Sequence, residues 1–255
     1  MTVSLYHLLR TLFFLIPMIG FYSIVAGIVT PISSVWDHAG RFGNTVMRTW
    51  SWLVLVTTGV RVEVSGLERL VPGATYVFVS NHQSMYDIPA IFCWLPYQLR
   101  VTAKQSLGWV PLVGWHLRRT GHVLVNRGHP DRKNILRQWR RLVEQHVSLV
   151  IFPEGTRSAD GRVAPFKAGS FALAIEAGLP VVPMSVVGSR FVMRKGELTA
   201  RPGFVYLAIH EPIDTRDGTW SQTVGDARRL AAQAQQVIAE AVERIERERC
   251  PWPSR

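Results

Sequence analysis

The sequence predicts an α/β fold in which one globular domain follows a membrane-seeking N-terminal segment. Short β-branched runs alternate with longer stretches of helical apolar spacing, a pattern typical of a sheet covered by helices. The 255 residues suffice for one full core plus an appendage. We therefore predict two parts: an N-terminal membrane-anchoring helix pair in residues 1–60 and an α/β domain in residues 61–255.

The first element is an apolar stretch that has no charged side chain between Thr11 and Trp36. Its length could span a bilayer. However, Pro17 and Pro31 are expected to interrupt it, and the next apolar patch, residues 49–58, is too short to cross. These facts predict a helix pair that enters one leaflet. A signal peptide is the weaker alternative, because the stretch is long and lacks a clear small-residue cleavage site.

The placement of arginines predicts the side of the membrane. Only Arg10 precedes the apolar stretch, whereas Arg41, Arg48 and the basic bulk of the chain follow it. Because positively charged flanks tend to stay in the cytoplasm, the main domain is predicted at the cytoplasmic face of the inner (plasma) membrane.

The α/β domain is predicted from recurring short runs and the helical patterns between them. The predicted strands are residues 60–64, 76–80, 99–102, 122–125, 147–152, 180–186 and 204–209. The clearest predicted helices are residues 131–146, 168–177 and 224–248. Residues 107–115 hold two tryptophans and precede Arg118 and Arg119. This segment suits a membrane interface, although a core helix would explain it equally well.

Composition narrows the possible partners. A net charge of +11 favours nucleic acid, an anionic membrane or a phosphorylated ligand. With 47% hydrophobic residues and nine tryptophans, and without a zinc-type cluster or basic repeat, nucleic acid is not expected. Cys93 and Cys250 are the only cysteines, so a disulfide framework is not predicted and a reducing compartment is favoured.

A candidate proton-transfer pair follows the second predicted strand, in the segment Asn-His-Gln-Ser-Met-Tyr-Asp. If the strand ends before this segment and a helix begins near its last residue, His82 lies on a loop and Asp87 near the start of the helix. A neutral imidazole can take a proton from a hydroxyl group while a carboxylate accepts from its other nitrogen. Taken alone, this spacing more often makes a hydrogen-bonded turn or a helix cap, so the neighbouring segments must decide.

A candidate anion-binding loop, Phe-Pro-Glu-Gly-Thr-Arg-Ser, ends the fifth predicted strand. Gly155 allows close backbone approach, Thr156 can donate a hydrogen bond, and Arg157 can grip a phosphate through two parallel donors. The alternative is a solvated turn in which Arg157 pairs with Glu154 or Asp160.

Two further cations follow predicted strands. Arg127 ends the segment Gly-His-Val-Leu-Val-Asn-Arg, and Lys104 follows Val-Thr-Ala. Each residue alone is more often a solvated surface charge.

The four segments together resemble the motifs of the glycerophospholipid acyltransferase family, in order and in approximate spacing. Residues 81–87 are similar to its first motif, residues 121–127 to its second and residues 181–184 to its proline-centred fourth. Residues 152–158 reproduce its third motif residue for residue. Leu-Val-Asn before Arg127 departs from the usual Phe-Ile-Asp or similar. The resemblance extends from about residue 50 to about residue 212.

The resemblance implies a glycerolipid acyltransferase-like mixed sheet flanked by helices, with an N-terminal membrane-embedded two-helix motif. The most similar members, which are bacterial, acylate the sn-2 hydroxyl of 1-acyl-glycerol 3-phosphate (lysophosphatidic acid) from acyl-CoA or acyl carrier protein, giving phosphatidic acid. His82 would be the general base and Asp87 its orienter. The implied phosphate-binding set is Lys104, Arg127, Glu154, Gly155, Thr156 and Arg157.

Neither a cofactor nor a metal is expected, because His82 and Asp87 lack further nearby ligands. Direct attack by the hydroxyl is favoured over an acyl-enzyme, since neither cysteine lies in a motif and a Gly-x-Ser-x-Gly elbow is lacking. Ser84 is more easily explained as a cap or turn hydroxyl. Two alternatives stay open: a family member that uses glycerol 3-phosphate or a lyso-aminolipid, and a noncatalytic lipid-binding protein.

Overall fold

The structure is a computed structural model that describes residues 5–33, 35–37, 40–111, 113–126, 128–216 and 218–249. Its centre is a seven-stranded sheet. The strands are β1 (Val60–Ser65), β2 (Val77–Ser80), β3 (Leu99–Lys104), β4 (Val123–Val125), β5 (Ser148–Ile151), β6 (Val181–Val187) and β7 (Gly203–Ile209). Their order in the sheet is β1-β7-β6-β2-β5-β3-β4. All seven predicted strands are therefore confirmed, within a few residues at their ends.

The sheet is mixed, as predicted. Strands β2 to β6 run parallel to their sheet neighbours among themselves, and β7 runs antiparallel to β6 but parallel to β1. The carboxyl ends of parallel strands meet at one edge of a sheet. His82, the loop after β5 and Lys104 are thus brought to the same edge.

Helices cover both faces of the sheet. Their bounds are α1 (Leu5–Arg10), α2 (Ile16–Ser33), α3 (Arg41–Thr58), α4 (Asp87–Trp94), α5 (Val113–Arg119), α6 (Arg132–Glu144), α7 (Gly169–Ala177), α8 (Ser189–Val192) and α9 (Val224–Arg249). One core contains the buried side chains of α3 and α4, and the other those of α6, α7 and α9. Strand β2 alternates between them, since Phe78 points to the first core and Val77 and Val79 to the second.

The N-terminal apolar stretch forms one helical run. Helix α1, a π-helical turn at Thr11–Leu15 and α2 are continuous, and the stretch Leu5–Ser33 is long and apolar enough to cross a membrane, with a mean hydropathy of 2.3. The prediction that Pro17 and Pro31 interrupt this segment is wrong. Pro31 lies inside α2, and the π turn ends just before Pro17, where the wider backbone turn helps to accommodate a residue that cannot donate a hydrogen bond.

The predicted helix pair is present, because α3 packs along α2. Trp50 Nε1 donates to Ser23 Oγ at 3.0 Å, and the hydroxyls of Tyr22 and Thr57 lie 3.2 Å apart. The Arg10 guanidinium donates to the carbonyl of Thr57 at 3.0 Å. The outer side of α2 is apolar and exposed.

The tryptophan segment before the Arg118-Arg119 pair forms a 3₁₀ turn at Gln105–Trp109 followed by α5. Trp109 is 76% exposed and Trp115 is 58% exposed, so these two side chains do not fill a core. His116 of the same helix lies 3.2 Å from the Thr30 hydroxyl of α2. The segment thus adjoins the N-terminal helices, and its interfacial role stays a prediction.

Candidate active site

The candidate base and its orienter are in direct contact. His82 Nδ1 lies 2.7 Å from Asp87 Oδ2. Asp87 is the first residue of α4 and is fully buried, and the same oxygen accepts the backbone N–H groups of Gln83 at 2.7 Å and Ser84 at 3.0 Å. These donors fix the carboxylate in place. An ionised Asp87 requires the proton of a neutral His82 on Nδ1, which leaves Nε2 as the proton acceptor.

The His82 ring is held but reachable. Its side chain is 15% exposed, and it stacks on the Phe152 ring with centroids 4.2 Å apart. Nε2 makes no hydrogen bond to any residue in the described part of the chain. The ring therefore has one fixed nitrogen and one nitrogen available to a substrate. Phe152 was not among the predicted site residues, although it opens the third motif.

The loop after β5 is hydrogen-bonded to both the backbone N–H and the backbone carbonyl of His82. The Glu154 carboxylate accepts the N–H of His82 at 2.7 Å and the N–H of Ala164 at 3.1 Å. The N–H of Ser158 donates to the His82 carbonyl at 2.7 Å. Burial raises the pKa of Glu154, while the hydrogen bonds from His82 and Ala164 oppose that shift. The first and third motifs therefore form one structural unit.

These contacts bear on the predicted phosphate-binding set. Glu154 is 6% exposed, and each of its carboxylate oxygens already accepts a backbone N–H. A carboxylate would also repel a phosphate. In this geometry the Glu154 carboxylate holds the backbone of His82. The sequence could not reveal that Glu154 and His82 are hydrogen-bonded.

Arg157 is half-buried beside this unit. Its guanidinium makes neither a hydrogen bond nor an ion pair with a residue of the described ranges, so the alternative in which it pairs with Glu154 or Asp160 is not observed. Asp160 instead accepts the Ser158 hydroxyl at 3.0 Å and lies 3.8 Å from Arg162. Arg157 is left available for an anionic ligand.

The other predicted phosphate ligands are Lys104, Thr156 and Arg127. Lys104 ends β3 and is exposed at the same sheet edge. Thr156 is exposed in the loop beside Arg157. Arg127 lies outside the described residues, and Asn126 before it accepts the N–H of Gly128 at 3.1 Å.

Gly155 shows why the loop requires glycine and reveals a further cation. Its φ is +76°, a region that other residues rarely adopt. A Cβ built there would lie 2.7 Å from Lys167 Nζ, so the lysine head group lies directly over the glycine. Lys167 was not a predicted site residue. It lies nine residues beyond the third motif, and no spacing rule pointed to it.

Comparisons with known proteins decide the family. A family model described as Acyltransferase matches residues 61–187. The chain is 32% identical over 200 residues to a 1-acyl-sn-glycerol-3-phosphate acyltransferase of Limnanthes alba, covering 77% of this chain and 70% of that protein. This chain belongs to the acyltransferase family. It is also 33% identical to the human 1-acyl-sn-glycerol-3-phosphate acyltransferase alpha over 159 residues, 62% of this chain and 56% of the human one.

The fold of this acyltransferase is shared with a solved structure. The crystal structure of the 1-acyl-sn-glycerophosphate acyltransferase from Thermotoga maritima aligns with a TM-score of 0.81 and 27% identity, covering 98% of this chain and 99% of that one. The resemblance inferred from the four motifs is thereby confirmed, and so is the predicted fold. The described ranges contain no group of three or more His, Cys, Asp or Glu side chains arranged to hold a metal ion.

Asn81 explains how this acyltransferase positions the His82 segment. Its side-chain amide donates to the carbonyl of Val186 and accepts the N–H of the same residue, both at 2.8 Å. The β2–β6 ladder ends at the pair Ser80 and Met184, so the amide extends the ladder by one rung. The buried strand β6, which carries the fourth motif, is the support for the turn into His82.

We expect Asn81→Ala to destabilise the fold. The variant leaves the buried N–H and carbonyl of Val186 without partners, and each unsatisfied group costs about 1–3 kcal/mol. The free energy of unfolding should fall by at least about 2 kcal/mol, measured by urea denaturation in detergent. Asn134→Ala on the exposed side of α6 is the control. Equal stability of the two variants would contradict the role of the amide.

Proposed function

We propose that this protein transfers a fatty acyl group from a thioester donor, acyl-CoA or acyl carrier protein, to the sn-2 hydroxyl of 1-acyl-glycerol 3-phosphate, giving phosphatidic acid. The names of the Limnanthes, human and Thermotoga relatives support this acceptor. The observation that carries the proposal is the contact of His82 with Asp87. The Ser158 N–H donates to the His82 carbonyl, and this hydrogen bond joins the pair to the loop that holds Arg157.

The mechanism uses His82 twice. The acceptor hydroxyl donates to Nε2, and His82 takes its proton as the oxygen attacks the thioester carbonyl. Asp87 holds the ring and stabilises the imidazolium that forms. The tetrahedral intermediate then collapses, the carbon–sulfur bond breaks, and the thiolate leaves with the proton from Nε2. The new ester and a free thiol account for every atom without an acyl-enzyme.

The acceptor phosphate is proposed to lie at the sheet edge next to this pair. Arg157 is the principal ligand, because its guanidinium is available and lies beside Ser158. Thr156, Gly155, Lys104 and Arg127 complete the set inferred from the sequence, and Lys167 over Gly155 extends it. We propose that Glu154 positions His82 and does not touch the phosphate.

The lipid is proposed to arrive from one leaflet. The exposed apolar side of α2 and the exposed Trp109 and Trp115 would lie in the interface, with the domain at the cytoplasmic face. Arg118, whose guanidinium is 4.9 Å from the Trp109 ring centroid, suits the headgroup level. A lysolipid could then diffuse laterally to His82 while the donor comes from water.

Arg157→Ala should mainly weaken use of the acceptor. A hydrogen bond to a charged group is worth about 1.5–3 kcal/mol, so KM for 1-acyl-glycerol 3-phosphate should rise roughly 10- to 100-fold. Steady-state kinetics with the purified protein measures this, with Arg162→Ala, an exposed arginine of the same loop, as the control. An unchanged KM would remove Arg157 from the phosphate site.

The decisive test of the function offers 1-acyl-glycerol 3-phosphate, glycerol 3-phosphate and a lyso-aminolipid separately to the purified protein with each thioester donor. We expect turnover of the first acceptor. Turnover of another acceptor alone would reassign the substrate, and acyl transfer that persists unchanged in His82→Ala would refute the mechanism.

A further inference from the structure

Helix α6 carries an unbalanced charge that the site does not use. It has five basic residues, Arg132, Lys133, Arg137, Arg140 and Arg141, against the single acid Glu144. Helix α9, which packs on the same face of the sheet, carries five basic and five acidic residues. The excess positive charge on this face is therefore concentrated on α6.

Three of the α6 cations form a stripe. Lys133, Arg137 and Arg141 follow one another at intervals of four residues, so they lie along one side of the helix. All three are exposed, and none of their side chains pairs with a residue of the described chain. Like charges at this spacing destabilise a helix. The only acid of the helix, Glu144, lies three positions after Arg141 and forms no ion pair with the stripe, so an external anionic partner would relieve this repulsion.

The stripe leads to the candidate active site. Arg132, in the first turn of α6, lines a cavity of about 370 Å³ together with Gly155, Lys167 and Phe152. The Phe152 ring is the one on which His82 stacks. A narrow flexible group that enters beside Arg132 would therefore reach the ring that supports His82.

The position of α6 favours a soluble partner over a membrane. Its buried side chains belong to the core shared with α7 and α9, whereas α3, which pairs with the apolar helix α2, belongs to the core on the opposite face of the sheet. A bilayer that contacts α2 and α3 would lie on the far side of the sheet from the stripe. The nine residues from Lys133 to Arg141 span about 12 Å, a length that suits the surface of a macromolecule better than one nucleotide.

We infer that Lys133, Arg137 and Arg141 dock an acidic carrier protein that bears the acyl thioester on a phosphopantetheine arm, and that the arm enters the cavity beside Arg132. This inference rests on the proposed function and gives the docking surface for one of its two donor types. Charge complementarity at such a rim accelerates encounter and makes it salt-dependent.

The test compares two triple variants in purified, detergent-solubilised full-length protein. One is Lys133→Glu/Arg137→Glu/Arg141→Glu. The control is Arg228→Glu/Arg244→Glu/Arg247→Glu on α9, which changes the net charge equally at exposed positions. KM is measured for acyl carrier protein and for acyl-CoA at low and high KCl, with 1-acyl-glycerol 3-phosphate as acceptor.

In the α6 variant, KM for the carrier-protein donor should be higher by about tenfold or more. This KM should also no longer depend on the KCl concentration. The variant's KM for acyl-CoA should change less than about twofold, which also shows that the protein is folded, and the α9 variant should resemble wild type. An unchanged KM for the carrier donor would overturn the inference, as would an equal rise in KM for both donors.

Three further outcomes separate this inference from the proposed function. Loss of binding to anionic phosphatidylglycerol vesicles in the α6 variant, with normal use of the carrier donor, would assign the stripe to the membrane and overturn the inference. Wild-type protein that uses acyl-CoA but not the carrier donor would overturn the inference alone. Failure of the wild type to acylate 1-acyl-glycerol 3-phosphate with either donor would instead refute the proposed function.

Discussion

Replacing His82 by alanine is expected to lower kcat by about 10²- to 10⁴-fold, the usual contribution of a positioned general base. The lost group is the imidazole whose Nδ1 is fixed by Asp87 at 2.7 Å. KM for the acceptor should change far less, because the proposed phosphate ligands are untouched. Steady-state rates with 1-acyl-glycerol 3-phosphate and acyl-CoA measure both constants.

The matched control for this loss is His129→Ala. His129 is exposed and its side chain has no partner within the described chain, so this variant should retain wild-type rates. A His82→Ala protein with near-normal kcat would mean that the His82–Asp87 contact is only a structural turn, which was the more common outcome for such spacing taken alone.

Local patterns in the sequence were sufficient to predict much of the fold. The β-branched runs mark all seven strands because each strand is short and is bounded by turn residues. The contact between His82 and Asp87 was also predictable, since they lie five positions apart and a strand end precedes a helix start. Parallel pairing of β2 with β5 then brings the third motif beside the first.

What could not be predicted depends on contacts between distant residues. Glu154 and His82 are 72 residues apart, and no local pattern shows that a carboxylate accepts a particular backbone N–H. Lys167 reaches Gly155 only because the loop folds back on itself. The continuity of the N-terminal helix through Pro17 depended on a π turn, which a rule treating each proline as a helix breaker does not foresee.

The second large effect is expected at Glu154, where two roles predict different kinetics. As the positioning residue, Glu154 holds the N–H of His82 and of Ala164. Glu154→Ala would leave both groups unpaired and release the loop. A displacement of about 1 Å at a reacting group can cost about 10²-fold, so kcat should fall to this extent while KM for the acceptor stays near its wild-type value.

The conservative variant and a loop control make this prediction specific. In Glu154→Gln the amide oxygen can still accept one N–H, so its kcat should lie between those of wild type and Glu154→Ala. Asp160→Ala removes an exposed carboxylate of the same loop that does not touch His82, and should be nearly silent. A raised KM with normal kcat in Glu154→Ala would return Glu154 to the phosphate site. A fall in kcat alone would establish that the third motif fixes the base through Glu154, while its role in phosphate binding depends on the KM of Arg157→Ala.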